Sequence, residues 1–212
     1  MSRLRAGRRT YHHLFSHCCD GFIGLHARRD EDDTRLFLVD SAARKEKSPH
    51  RILDICCGTG SVIVAFGERY LDAVLVGYDF SHGMLLKAQE KSAASRAVYV
   101  EGDAAQLPFP DASFDVVTCS HALCELKGEA REKALEEMSR VMHPEGLLLL
   151  MEHEVPSRPL IRLLFYMRLF TMGSADAREF VEGGIQSLKR IFSRVALSHS
   201  PSGKSRLMIC QK

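Results

Sequence analysis

Three aspartates stand where apolar runs of the sequence end. Asp54 closes "RILD", Asp79 closes "AVLVGYD", and Asp103 follows "AVYVEG". Alone, an aspartate in such a place reads as a helix cap or turn residue; three in succession form a specific arrangement. After the first comes "CCGTG", whose glycines Gly58 and Gly60 suit a tight turn and the close approach of a ligand. The pattern Gly58-x-Gly60-x-x-Ile63 lacks the third glycine of the dinucleotide fingerprint. Asp54, just ahead of it, would repel a pyrophosphate, so a nicotinamide oxidoreductase fits poorly. A cationic ligand fits better, because a carboxylate at Asp54 can orient an ammonium. Asp79, roughly twenty residues beyond the loop, is placed to accept from two ribose hydroxyls. Asp103 can accept from an adenine amino group.

These side chains need strands that end on one edge. "RILDIC", "AVLVGY", "AVYVE", "FDVVTCS" and "GLLLLME" are apolar runs of strand length, alternating with helix-like segments. Continuous apolar runs of this kind suit strands buried on both faces of a parallel sheet. "SVIVAFGERY" reads as a helix, as does "SHGMLLKAQEKSAA", with Ser81 as its N-cap. In "GEAREKALEEMSRVM", Ala134, Leu135, Met138, Val141 and Met142 follow helical spacing. "RVALSH" and "RLMICQ", joined by "SPSGKS", read as an antiparallel hairpin. The fold class expected is α/β: a doubly wound, mostly parallel seven-stranded sheet with a C-terminal antiparallel hairpin. Residues 1–48 are expected to form an N-terminal helical extension or lid, and residues 49–212 the ligand-binding domain.

A nucleoside with a positive charge and no pyrophosphate describes S-adenosylmethionine, which carries an α-ammonium and a sulfonium. "LDICCGTG", "VGYDFSHGML", "EGDAAQLPFPDASFDVV" and "VMHPEGLLLL" together resemble the motif series of class I S-adenosylmethionine-dependent methyltransferases. The branch they are most similar to contains the ubiquinone and menaquinone biosynthesis C-methyltransferases. The resemblance spans residues 50–152. It implies that Asp54, Cys56, Gly58 and Gly60 line the methionine side and that Asp79 holds the ribose. It further implies that Phe80 and Met84 pack near the adenosine, that Asp103 and Ala104 meet the adenine, and that Cys119 and Ser120 flank the sulfonium. Where this sequence has Cys56, the family often has glycine or alanine. A thiol is small and mostly apolar, so Cys56-Cys57 reads as lining rather than chemistry. Relatives carry a Tyr-Asp pair in a covering helix; here the comparable place reads Cys19-Asp20, with Tyr11 earlier.

Methyl transfer from a sulfonium is a displacement that rests largely on positioning, and a base is needed only where the acceptor must lose a proton. "CSHALCEL" places His121 after the fourth strand, and "MEHEVP" places Glu152, His153 and Glu154 after the fifth. His121 is the first candidate for general base or acceptor orienter and His153 the second; the alternative for both is a hydrogen-bonded structural histidine. A thiol or arsenic acceptor chemistry would draw on Cys18, Cys19, Cys119 or Cys124. The acceptor is expected to be a small or lipid-like molecule, a quinone among the options, bound between the N-terminal helices and the segment before the hairpin. There "RPLIRLLFYMRLFTMG" sets Arg158, Arg162 and Arg168 within about 120° of one another beside a wide apolar face. That segment reads as a core-packed helix with a basic edge, as a lid, or as a peripheral membrane contact through residues 158–173. The alternative to an enzyme is a non-catalytic cofactor- or protein-binding module on the same fold.

Composition narrows the classes further. The 212 residues are 45% apolar and 26% charged, ordinary for one globular domain. A net charge of +2 and no aromatic stacking motif argue against a nucleic-acid partner. Arg3, Arg5, Arg8 and Arg9 give a basic start, read as a solvated terminus or an arm for phosphate or membrane. Neither a secretory apolar region nor a membrane span is legible. The seven cysteines are therefore expected to be reduced and the protein cytoplasmic. His12, His13, His17, Cys18 and Cys19 cluster without metal-ligand spacing, so no metal is expected.

Overall fold

The structure is a computed structural model that describes residues 34–91, 96–126, 128–155 and 185–212, with positions 159, 160, 162, 163 and 166. Residues 1–33 of the expected N-terminal extension or lid, with Cys18, Cys19 and the N-terminal arginines, lie outside the described residues, as does most of the 158–173 segment.

In chain order come α1 (Thr34–Ala43), β1 (Arg51–Ile55), α2 (Ser61–Arg69), β2 (Val74–Asp79), α3 (His82–Lys91), β3 (Val98–Glu101) and β4 (Phe114–Ser120). A 3-10 turn over Leu123–Glu125 precedes α4 (Glu129–Val141) and β5 (Met142–His153). A helix over 185–191, α5, leads to β6 (Arg194–His199) and β7 (Ser205–Gln211). The seven strands form one sheet in the order β3-β2-β1-β4-β5-β7-β6. β3, β2, β1, β4 and β5 pair in parallel, and β7 runs antiparallel to both β5 and β6. The expected sheet and terminal hairpin are both present.

Period-two alternation along each strand divides the core into two. On one face Leu53, Ile55, Val117, Cys119, Leu148, Leu150 and Met208 pack under α4, with Leu188 and Phe192 beside them. On the other, Ile52, Val116, Leu149, Met151 and Leu207 meet Leu38, Val39 and Ala42 of α1 and Ile63 and Phe66 of α2. Helix α1 thus packs directly on the sheet through Leu38, Val39 and Ala42.

The boundary between α4 and β5 differs from the sequence reading. α4 ends at Val141, and Met142 takes an extended conformation (φ −72°, ψ 135°) as the first residue of β5. Pro144 stops the helix from running on, because it pushes His143, the residue before it, out of the helical region. Met142 is still fully buried, opposite Phe114. α3 is described to Lys91, and the expected end at residue 94 lies outside the described residues.

Candidate active site

In an open α/β sheet the ligand crevice lies beyond the carboxyl ends of the strands, where the strand order reverses. Here that point falls between β1 and β4, which pair Asp54 with Thr118 and Ile55 with Cys119.

The loop after β1 owes its shape to three left-handed residues: Cys56 (φ 56°), Gly58 (φ 55°) and Gly60 (φ 74°). The two glycines differ in why they must be glycine. A Cβ on Gly58 would meet nothing within 4 Å, so the space in front of it is open. A Cβ on Gly60 would lie 2.6 Å from Tyr99 Oη and 3.1 Å from the Ala88 Cβ, so glycine there is demanded by packing against α3 and β3. Cys56, half-buried in the left-handed region, explains why a glycine suits that position equally well.

Asp54 is buried under this loop. Thr118 Oγ1 donates to its Oδ1 at 3.2 Å, and its Oδ2 has no hydrogen-bond partner among the described residues. Burial, partly offset by the Thr118 bond and reinforced by the charge of Asp79, pushes the carboxyl up to about 8. A buried carboxylate oxygen without a donor is a place for a cation or an N–H to arrive.

Asp79, at the end of β2, ties the site together. Its Oδ2 accepts from the Gly58 N–H at 2.9 Å and its Oδ1 from the Ser81 N–H at 2.8 Å. The Ser81 carbonyl in turn accepts from the Met84 and Leu85 N–H groups, which opens α3. Burial raises the Asp79 carboxyl while these backbone N–H groups pull it down. The Phe80 N–H bonds to it as well, so three of the roughly four lone-pair sites are taken and one remains for a ribose hydroxyl. Phe80 is partly exposed beside it, and Met84 is buried on the first turn of α3.

Asp103 stands exposed after β3, its Oδ1 accepting from the Ala105 N–H at 3.0 Å, with Ala104 buried next to it. Three residues not singled out in the sequence hold this loop in place. The Tyr78 hydroxyl, beneath it, donates to the Asp103 carbonyl at 3.2 Å. Glu137 accepts from the Leu107 N–H at 2.7 Å, and Arg140 donates to the Phe109 and Leu107 carbonyls, Asp111 and Glu137. The Arg140 guanidinium holds the Glu137 carboxyl below its ordinary range. Only the helical register of Glu137 and Arg140, three apart, was a signal in the sequence; their target was not.

Cys119 is fully buried, its free thiol hydrogen-bonded to that of Cys56 behind the loop, so of the Cys119-Ser120 pair only Ser120 is partly exposed at this edge. Burial drives the thiols of Cys57, Cys124 and Cys210 upward, and the bond to Cys56 together with burial does so for Cys119. These sulfurs stay protonated at neutral pH, which fits lining rather than nucleophilic roles and leaves the thiol chemistry of Cys119 and Cys124 without support.

His121 and His153 come together. Their ring centroids lie 4.4 Å apart with the planes tilted by 39°. His121 has a left-handed backbone (φ 54°), and its N–H donates to the Met151 carbonyl at 2.7 Å. Its Nδ1 lies 3.0 Å from Ser120 Oγ and its Nε2 3.0 Å from Ser205 Oγ of β7. Glu152 points to the opposite face. Its Oε1 accepts from the Cys124 N–H at 3.3 Å, and burial pushes its carboxyl up to about 7. Ser205 was missed as a site residue, since it sits in no motif, whereas Glu152 was read from the sequence at the same edge as His153. Among the described residues no cluster of metal-ligating side chains occurs and no helix is long and apolar enough to cross a membrane. In the 158–173 segment Leu160, Arg162 and Leu163 are exposed, while Tyr166 packs against the α4-side core.

Residues 53–150, from β1 through β5, match the family model described as a methyltransferase domain. The chain carries a class I methyltransferase domain. Similar proteins include the demethylmenaquinone methyltransferase of Deinococcus radiodurans, 39% identical over 120 residues, covering 56% of this chain and 49% of that one. That of Staphylococcus aureus strain MRSA252 is 34% identical over 159 residues, covering 67% and 65%. The chain thus spans half to two-thirds of the length of these curated relatives. Among solved structures, a SAM dependent methyltransferase from Aquifex aeolicus superposes with a TM-score of 0.65 at 17% identity, covering 85% of this chain and 90% of that one. An O-methyltransferase family protein from Burkholderia thailandensis gives 0.67 at 15%, covering 91% and 59%. At these identities the likeness establishes the methyltransferase fold.

Proposed function

We propose that this methyltransferase domain uses S-adenosylmethionine to methylate a small, lipid-like acceptor of the quinol type. The observation that carries the donor is the single edge at which Asp54, Asp79 and Asp103 close three neighbouring strands around the open space at Gly58. The acceptor class is supported by relatives named demethylmenaquinone methyltransferase at 34–39% identity. The donor, when bound, supplies a methyl on a sulfonium.

The donor fits the residues present. Asp54 Oδ2, which has no hydrogen-bond partner among the described residues, suits the methionine end, with Cys56, Gly58 and Gly60 forming the narrow wall. Asp79 keeps accepting capacity for a ribose hydroxyl, and Phe80 and Met84 supply apolar surface for the adenosine. Asp103 and Ala104 close the adenine end. Ser120 stands at the edge where the reacting atoms would meet, and Cys119 supports it from behind. His121 and His153 bound the acceptor side, at the carboxyl ends of β4 and β5. An aromatic quinol must lose a proton as its ring is methylated, so a group able to receive one belongs here.

Calorimetric titration with S-adenosylhomocysteine, followed by transfer of labelled methyl from S-adenosylmethionine to a demethylated naphthoquinol, tests the reading. Binding together with labelled product is expected. No binding overturns it. Binding with no transfer to naphthoquinol, nor to any acceptor in a cell extract, would instead favour a cofactor-binding module.

A further inference from the structure

Both ring nitrogens of His121 are occupied by serine hydroxyls, Ser120 Oγ at Nδ1 and Ser205 Oγ at Nε2, each at 3.0 Å. The imidazole therefore meets the reaction through one of these hydroxyls. The two serines are not equivalent. Ser205 is 3% exposed and Ser120 is partly exposed, so the Nε2 end faces the interior and the Nδ1 end faces the crevice.

The interior end is also the rigid one. The Ser205 N–H donates to Ser200 Oγ at 3.1 Å, and its carbonyl accepts from the Ser200 N–H at 2.8 Å across the β6–β7 turn. Ser205 further lies opposite His153 in the β5–β7 register. His121 cannot turn away, because its left-handed backbone, its bond to the Met151 carbonyl and the His153 ring fix it on three sides. A non-glycine residue in this backbone region at a strand end marks a site where structure holds strain in place.

We propose that Ser205 is a positioning residue that accepts from His121 Nε2–H and so presents Nδ1 as the acceptor for Ser120 Oγ–H, making Ser120 the group that takes the methyl acceptor's proton. This inference rests on the function proposed above. The Nε2–H form is also the one neutral histidine prefers in water, so Ser205 reinforces an intrinsic bias. As the acceptor's hydroxyl proton moves to Ser120 Oγ, the Ser120 proton moves to Nδ1. The electron pair left on the acceptor drives formation of the new bond to the methyl carbon, and the pair of the broken sulfur–carbon bond stays on sulfur. The resulting imidazolium is held by Ser205 Oγ at Nε2 until Nδ1 returns its proton to solvent through Ser120. Ser205 plays the orienting part that a third group plays behind any base activating a hydroxyl.

Long-range nitrogen–proton spectra of the full chain labelled with nitrogen-15 histidine read the tautomer with no donor or acceptor present, His121 being assigned by its loss in His121→Asn. The expected result is an Nε2–H His121 that becomes a mixture of tautomers in Ser205→Ala and returns in Ser205→Thr. With demethylated naphthoquinol as acceptor, Ser205→Ala is expected to lower kcat roughly tenfold and Ser120→Ala roughly a hundredfold. Ser205→Thr should recover kcat, with S-adenosylhomocysteine affinity unchanged in both Ser205 variants. An Nδ1–H tautomer in the parent protein, or a Ser205→Ala protein with unaltered tautomer and kcat, overturns the proposal. Failure to bind S-adenosylhomocysteine overturns the proposed function instead and leaves the tautomer result standing.

Discussion

The Gly58 N–H donates to Asp79 Oδ2 at 2.9 Å, so the loop that ends β1 and the acid that ends β2 form one unit. Asp79 is thereby both a candidate ribose ligand and the brace of the glycine loop. Asp79→Asn keeps one accepting oxygen and removes the charge, which weakens hydrogen bonds to it by about 1–2 kcal/mol. We expect S-adenosylhomocysteine affinity to fall at least roughly tenfold, by calorimetry, while the protein stays folded. Unchanged affinity would remove Asp79 from the site.

Buried carboxyls make stability depend on pH with a defined sign. Asp54 ionises near 3.8 when unfolded and near 8 when folded, so between those values the folded chain binds more protons than the unfolded chain. Stability contributed by the protonated acid is therefore lost as pH rises through that window, by at most about 1.4 kcal/mol per pH unit for one group. Glu152 acts in the same sense between 4.5 and about 7. Thermal melts from pH 5 to 8 should show a shallower decline in Asp54→Asn and Glu152→Gln than in the parent protein. A cation reaching Asp54 favours its charged form, so S-adenosylmethionine binding at pH 7 is expected to release a proton. Titrations in buffers of differing ionisation enthalpy would detect it, and Asp54→Asn should abolish it.

The loop glycines separate folding from binding. Gly60→Ala drives a Cβ to within 2.6 Å of Tyr99 Oη at a positive φ, and a stability loss of about 1–3 kcal/mol is expected. Gly58→Ala has open space and incurs only the left-handed penalty of about 1–2 kcal/mol, but it fills the ligand's approach. Its cofactor affinity should drop by more than its stability. Cys56→Gly relieves the same kind of backbone strain and should be neutral or stabilising by up to about 1 kcal/mol. Denaturant melts set beside calorimetry decide all three, and a Gly58→Ala protein that binds normally would sink the assignment of the open space.

Thiol reactivity should follow burial. Iodoacetamide at pH 7.5 is expected to spare Cys57, Cys119, Cys124 and Cys210 in the folded protein, with Cys56 the first of the described cysteines to react. Peptide mapping checks the order. Rapid alkylation of Cys119 or Cys124 would reopen a thiol role for them.

The order of strands and helices was legible in the chain because apolar runs bounded by turn residues have few other ways to be buried. The strand-end acids were legible for the same reason: a carboxylate after such a run falls on the sheet's rim. The sequence alone therefore determined the seven-stranded α/β sheet, the rim on which Asp54, Asp79 and Asp103 stand, and the nearness of His121 and His153 to it. Tertiary structure alone decided that Gly60 serves packing and Gly58 faces open space, since that depends on Tyr99 arriving from β3. It alone withdrew Cys119 into the core and brought Ser205, from the far end of the chain, against His121. Contacts between residues 84 positions apart follow from strand order and register, and a local pattern of residue types holds no record of which distant strand will come to lie beside it.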